Sequence, residues 1–236
     1  MNRWLAAAFV LLMLGLTALF AALGVWQLDR LGEKERLIAA VADGLAGMPV
    51  PLAEATDYRP VTVAGRYVAA STVLVFTSLA DTGASASGPG YWVMTALALD
   101  EGGSVYVNRG FVQQPLGAQY LAISPPEGTQ SLSGIARLGE ARSAFTPAAD
   151  LAARIDWIRD PQRLAAFATD LPQPLSRFYI DLPAGRPGDL PLGGQTVVEF
   201  PNNHLGYAIT WLGFAVLTPI LLAFWVFTQR KKKVLP

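Results

Sequence analysis

Two long stretches without a formal charge bracket this chain, Trp4 to Leu28 near one end and Leu205 to Thr228 near the other. A helix needs about 20 apolar residues to cross the hydrocarbon core of a bilayer. Each stretch exceeds that length. The chain therefore reads as a membrane protein with transmembrane helices over 4–28 and 204–228 and everything else held between or beyond them. A cleaved signal peptide competes for the first stretch, because Ala22-Leu23-Gly24 loosely resembles a small-residue cleavage site, but the apolar core is longer than such peptides carry. Pro219 is expected to bend the second span. Small residues recur in both, Gly15, Ala18 and Ala22 in one and Gly206, Thr210 and Gly213 in the other, which offers faces for close helix pairing.

Charge sets the orientation. All 18 acidic residues lie between Asp29 and Glu199, whereas Arg3 and the run Arg230 to Lys233 put only bases at the two ends. Basic residues concentrate on the cytoplasmic side of membrane helices. Both termini, including the basic tail 229–236, are thus expected in the cytoplasm, with the acidic middle outside, which is the periplasm if the cell is Gram-negative. That acidity argues against a nucleic-acid partner, since phosphate binding needs clustered Lys and Arg on the folded domain. There is no cysteine, which excludes disulfides, thiolate nucleophiles and thiolate metal sites.

Between the spans the period changes. Leu31 to Leu45 alternates charge at Glu33, Lys34, Glu35 and Arg36 and carries Leu37, Ile38, Val41 and Leu45 as an apolar stripe, a juxtamembrane helix over 29–48 that continues the first span into water. Gly44, Gly47, Pro49 and Pro51 end it. From there to residue 200 the pattern is that of strands: Val61 to Val68, Ser71 to Ser78, Tyr91 to Leu99, Ser104 to Val112, Gln130 to Leu138, Ser176 to Leu182 and Gln195 to Phe200. Asp81 to Gly90 is a Gly/Ser/Ala loop, and Asp100-Glu-Gly-Gly103 marks a hairpin. One helix interrupts, over 161–169, with Asp160 as N-cap and Pro161 at its first position, presenting Leu164, Phe167 and Ala168 to the sheet. The expected fold is an α+β extracytoplasmic domain, an antiparallel barrel or sandwich, flanked by the two transmembrane helices.

Chemistry-bearing motifs are sparse. There is no Gly-x-Ser-x-Gly, Walker loop, Gly-x-Gly-x-x-Gly or His-Glu-x-x-His. Asp57, Asp100, Glu101, Asp156 and Asp181 are candidates for a carboxylate pair, against solvated loop acids. In Asn108-Arg109-Gly110, Arg109 either grips a carboxylate of a ligand or partner, or pairs with an acid of the domain beside an Asn/Gly bulge. The sole histidine, His204, opens the second span. Helical spacing groups it with Tyr207, Ala208 and Trp211, while Trp26 and Gln27 leave the first span at the same depth. These residues form either an interfacial aromatic belt or a pocket in which imidazole ligates haem iron and Arg30 or Lys34 meets the propionates.

Gly24-Val-Trp-Gln-Leu-Asp-Arg30 with Lys34 and Leu37-Ile38, Tyr58-Arg59 with Gly65, Val107-Asn-Arg-Gly-Phe111, Trp157-x-x-Arg-Asp160 and Asn203-His-Leu-x-Tyr207-x-x-Thr-Trp211 together resemble the surfeit locus protein family of cytochrome c oxidase assembly factors. The resemblance implies a non-enzymatic protein of two spans that assists formation of the haem a site in oxidase subunit I. It implies subunit I, haem a synthase and the lipid bilayer as partners. It also implies haem a as cofactor, with His204 as iron ligand and Tyr207, Trp211, Trp26 and Arg30 around it. With no transit peptide ahead of the first span, the chain resembles a bacterial member. A haem-independent scaffold that clasps nascent subunit I is the alternative.

Overall fold

The computed structural model describes residues 3–79, 87–186, 188–194 and 202–231. The strand expected over 195–200, most of the loop expected over 81–90 and the end of the basic tail lie outside the described residues. The chain divides into two compact units, one made of Met1–Ala40 with Glu199–Pro236 and the other of Val41–Val198.

The first unit is a pair of helices. Helix α1 runs Arg3–Ala46 without a break, so the span and its juxtamembrane continuation are one element whose last turns belong to the second unit. The other helix, called α4 in chain order, runs His204–Lys231 and continues through Pro219. Both are long and apolar enough to cross a membrane, and most of their apolar side chains face outward. Hydroxyls inside them are satisfied within the helix: Thr17 donates to the Met13 carbonyl at 2.8 Å, Thr210 to Gly206 at 2.9 Å and Thr218 to Phe214 at 2.7 Å. That is what an apolar surrounding demands of a polar side chain. The helices meet through Gly24 against Leu212, Phe20 against Trp211 at 5.7 Å and Phe9 against Trp225 at 4.7 Å, with Ala208 buried at the seam. The small residues expected to mediate pairing do not. Nothing approaches a Cβ placed on Gly15, Gly206 or Gly213, because the aromatic side chains occupy the contact and turn that stripe outward.

The second unit is a five-stranded barrel with additions. Its strands are β1 (Val50–Pro51), β2 (Arg59–Tyr67), β3 (Val73–Leu79), β4 (Gly88–Leu99), β5 (Ser104–Gln113), β6 (Gln130–Leu138), β7 (Ile155–Asp156) and β8 (Leu175–Asp181), with short helices α2 (Gly117–Ala122) and α3 (Pro161–Leu164). Strand order β2-β6-β8-β5-β4 closes when Gly65, Arg66 and Tyr67 of β2 pair with Leu99, Ala98 and Leu97 of β4. Strand β4 is 12 residues long, which lets its first half pair with β3 and its second half with β2.

The barrel differs from the expected antiparallel one: β5 and β8 run parallel, with Asn108 opposite Asp181. A closed barrel with an odd number of strands must contain a parallel pair. β8 supplies it because the chain returns through a long connection after β6 instead of a hairpin, so no turn dictates its direction. The short pairings β1–β2 and β3–β7 are parallel too. The expected hairpin at Asp100 to Gly103 is present, with Gly102 and Gly103 at φ of 96° and 80°.

Two clusters share the strands. Val61, Val63, Leu97, Val105, Val107, Ala136, Phe178 and Ile180 come from all five barrel strands and fill the interior. Val75, Trp92, Met94, Tyr106, Phe111 and Tyr179 point the other way and are covered by Leu164 and Phe167. Because β4 and β5 are buried on both faces, they read as nearly continuous apolar runs. The covering segment starts as expected: the Asp160 carboxylate accepts from the Gln162 N–H at 3.1 Å and Pro161 opens α3, which turns 3₁₀ over Ala165–Phe167.

Burial pushes the phenols of Tyr106 and Tyr179 far above their ordinary value of 10, against the lowering pull of Arg154 on the first and Arg159 on the second. Tyr106 donates to the Leu164 carbonyl at 2.8 Å. The unfolded chain ionises these groups from about pH 10 while the folded chain does not, so their contribution is complete below pH 10 and lost as pH rises above it. At pH 11 each should cost about 1 kcal/mol. Urea midpoints at pH 8 and pH 11 test this, and equal midpoints would contradict it.

Candidate functional site

His204 is the first residue of α4, whose opening turn is made by the Asn203 carbonyl accepting the Tyr207 N–H at 3.3 Å. Residues 204, 208, 211 and 212 face α1. There the His204 Nδ1 lies 2.7 Å from the side-chain oxygen of Gln27, which is buried to 8% exposure. The two residues are 177 positions apart in sequence. No partner for Nε2 exists among the described residues.

Gln27, Arg30, Lys34 and Leu37 fall at steps of three, four and three along α1, which is one helical stripe. The stripe and His204 define a cleft of about 240 Å³ lined by Arg30, Glu33, Lys34, Leu37 and His204. Two cations and one carboxylate stand at it, and Arg30 pairs with Glu33 at 2.7 Å. Trp26 is exposed and is not among the residues that line the cleft; the Arg30 guanidinium lies 5.8 Å from its ring centre.

The other candidates are placed differently. Tyr207 turns away from α1 and is 56% exposed, because a step of three from His204 falls outside the contact strip that Ala208 centres. Trp211 stacks on Phe20 and lies outside the cleft. From sequence, Gln27 is marked only by its depth at the end of the first span. Its pairing with His204 has no local signature, since it arises between helices at opposite ends of the chain. The 27/30/34/37 stripe was visible in principle, but it straddles the boundary drawn between span and juxtamembrane helix.

In the barrel unit, the Asn108-Arg109-Gly110 bulge is formed: the register slips between Trp92 and Met94, Gly110 takes φ of 128°, and its N–H donates to the Asn108 side chain at 3.1 Å. Asn108 in turn donates to Asp181 at 2.7 Å. The expected ion pair of Arg109 with an acid is absent among the described residues. Instead its guanidinium sits 5.6 Å from the Tyr67 ring centre, with Nη1 buried and unpartnered. Burial draws the Arg109 pKa down, against the raising influence of Tyr67 and Tyr120.

The candidate carboxylates are engaged by arginines or exposed. Asp57 and Asp181 both pair with Arg137, at 3.3 and 3.7 Å, and Asp156 pairs with Arg163 at 2.7 Å. Asp100 and Glu101 stand exposed on the hairpin. Arg137 also lies 3.9 Å from the ring centre of Tyr58, which adopts φ of 63° and receives a guanidinium hydrogen bond at 2.9 Å. The Tyr58 motif thus ties the start of β2 to β6. Among the described residues no group of three or more His, Asp and Glu side chains is arranged to hold a metal ion.

Comparison with known proteins matches residues 14–216 to the family described as the SURF1 family. A SURF1-like protein of Monosiga brevicollis is 34% identical over 226 residues, covering 89% of this chain and 83% of that protein. Surfeit locus protein 1 of Homo sapiens is 32% identical over 233 residues, covering 90% and 75%, and that of Gallus gallus is 30% identical over 236 residues, covering 89% and 72%.

Proposed function

This chain belongs to the SURF1 family, and from that premise we propose that it is a non-enzymatic membrane assembly factor for cytochrome c oxidase that holds haem a for subunit I at His204. The single observation that carries the haem reading is the imidazole held by Gln27 through Nδ1 with Arg30 and Lys34 in the same cleft. In this reading both helices span the membrane, the termini are cytoplasmic and the barrel is outside. The charge distribution supports that orientation.

The donor set fits the group. Haem a, when bound, supplies an iron that accepts a neutral imidazole nitrogen and propionates that accept cationic donors. His204 would offer Nε2, while Arg30 and Lys34 would offer the cations and Trp26 an exposed apolar face beside Arg30. A cleft of about 240 Å³ is smaller than a typical enclosed ligand pocket, so these residues would grip one edge and leave the rest of the macrocycle to a partner or to lipid. That suits a carrier, which must release what it holds.

Purified from cells that make haem a, the wild-type protein should show a Soret band that His204→Ala loses. An identical band in both would remove His204 as the ligand. A second reading, a haem-independent scaffold for nascent subunit I, is favoured by the open face of α4 at Gly206, Thr210 and Gly213. Under it, Gly213→Ile should abolish co-purification with subunit I while His204→Ala leaves oxidase haem content normal.

A further inference from the structure

We propose that Gln27 is the positioning residue of His204: its side-chain carbonyl accepts the Nδ1–H, fixes the imidazole in that tautomer and leaves the Nε2 lone pair to the cleft formed by Arg30, Lys34 and Leu37. The observations are geometric. The Nδ1 to Oε1 distance is 2.7 Å, Gln27 is buried, and it lies outside the residues that line the cleft, so the two ring nitrogens face different surroundings. A neutral imidazole has one donor and one acceptor nitrogen, and the hydrogen bond made by one decides what the other can do. A partner that accepts at Nδ1 therefore converts His204 from a ring of two equivalent prospects into a ligand with one presented lone pair.

The choice of an amide has a chemical consequence. Outer partners of ligating histidines are commonly carboxylates or carbonyls, and both orient the ring. A carboxylate at position 27 would bring a charge into the contact between two apolar helices, where an ionised group is costly. Gln27 gives the same orientation without charge. It also leaves the imidazole less electron-rich than a carboxylate partner would, which favours a ligand held for transfer over one held permanently.

The haem reading enters this inference only through the identity of the ligand, because the tautomer exists without one. The chain has a single histidine, so the full-length protein labelled with ¹⁵N-histidine in detergent gives one pair of imidazole nitrogen signals. Measured where the ring is neutral, the wild type should show protonated Nδ1 and bare Nε2. Gln27→Ala should shift the proton to Nε2, the form that an unconstrained neutral histidine side chain prefers, and Gln27→Glu, which keeps an acceptor, should restore the wild-type pattern. Titration with ferric haem should then show binding weakened about 10- to 100-fold in Gln27→Ala and restored to at least the wild-type level in Gln27→Glu, whose carboxylate makes the imidazole the more electron-rich ligand. The same tautomer in wild type and Gln27→Ala, or unchanged haem affinity in Gln27→Ala while His204→Ala abolishes binding, would overturn the inference. If His204→Ala binds haem as tightly as wild type, the haem reading fails, and the nitrogen signals still decide the role of Gln27.

Discussion

Gly65→Ala should melt the barrel unit at a markedly lower temperature than the wild type. A Cβ at this position would collide with the Ala98 carbonyl oxygen and stand 3.0 Å from the Leu99 Cα, all of it backbone that no rotamer change can move. Gly65 pairs with Leu99 on one side and Gln130 on the other, so it sits in the seam where β2 and β4 close the barrel. Relief requires the strands to part, which breaks the closing ladder. The cost is about 3 kcal/mol, the upper range for overpacking. Circular dichroism melts should show it, and Gly15→Ala, where nothing lies within 4 Å, is the matched control that should leave the transition in place. Equal melting of Gly65→Ala and wild type would mean that the seam is not closed as described.

Asp156→Ala should be nearly as damaging for a different reason. The Asp156 carboxylate is fully buried, accepts from Arg163 Nε at 2.7 Å and from the Trp157 N–H at 2.6 Å, and sits on β7 beside Val75. Removing it leaves a largely buried guanidinium facing a hole, and breaking such a pair from one side costs about 3–5 kcal/mol. Arg163 retains its bond to the Pro147 carbonyl, which places the expected loss at the lower end. Denaturant midpoints measure it. The double variant Asp156→Ala with Arg163→Leu should recover part of the loss, because the stranded charge is gone. Asp100→Ala on the exposed hairpin should change the midpoint little.

These two sites show how unevenly the sequence was readable. Strand positions came through because β-branched and aromatic runs between turn residues carry a local signal: β6 matches its expected bounds at Gln130–Leu138, and β5 differs by one residue. The Asp160-Pro161 start of α3 was legible for the same reason, since a cap is a contact between near neighbours. Closure was not. Nothing near Gly65 announces that the Ala98 backbone will lie against it, and nothing near Ser176 says that β8 will run parallel to β5. The short β7 has two residues and no periodic signal.

At the candidate site the division is similar. Charge placement and two uncharged runs were sufficient to identify helices able to cross a membrane and to put His204 at the start of the second. Helical spacing then grouped Tyr207 with His204, but a helix has several faces, and packing against Phe20 and Gly24 selected the one centred on Ala208. Arg109 likewise looked like half of an ion pair, whereas the fold sets it against Tyr67.

Composition and periodicity therefore settle which segments are helix or strand and which are apolar enough to leave water, because those properties depend on residues within a few positions of each other. Only the tertiary structure brings Gln27 to His204 across 177 residues and chooses which imidazole nitrogen is presented. That choice rests on one hydrogen bond between helices from opposite ends of the chain, a contact for which no local pattern exists.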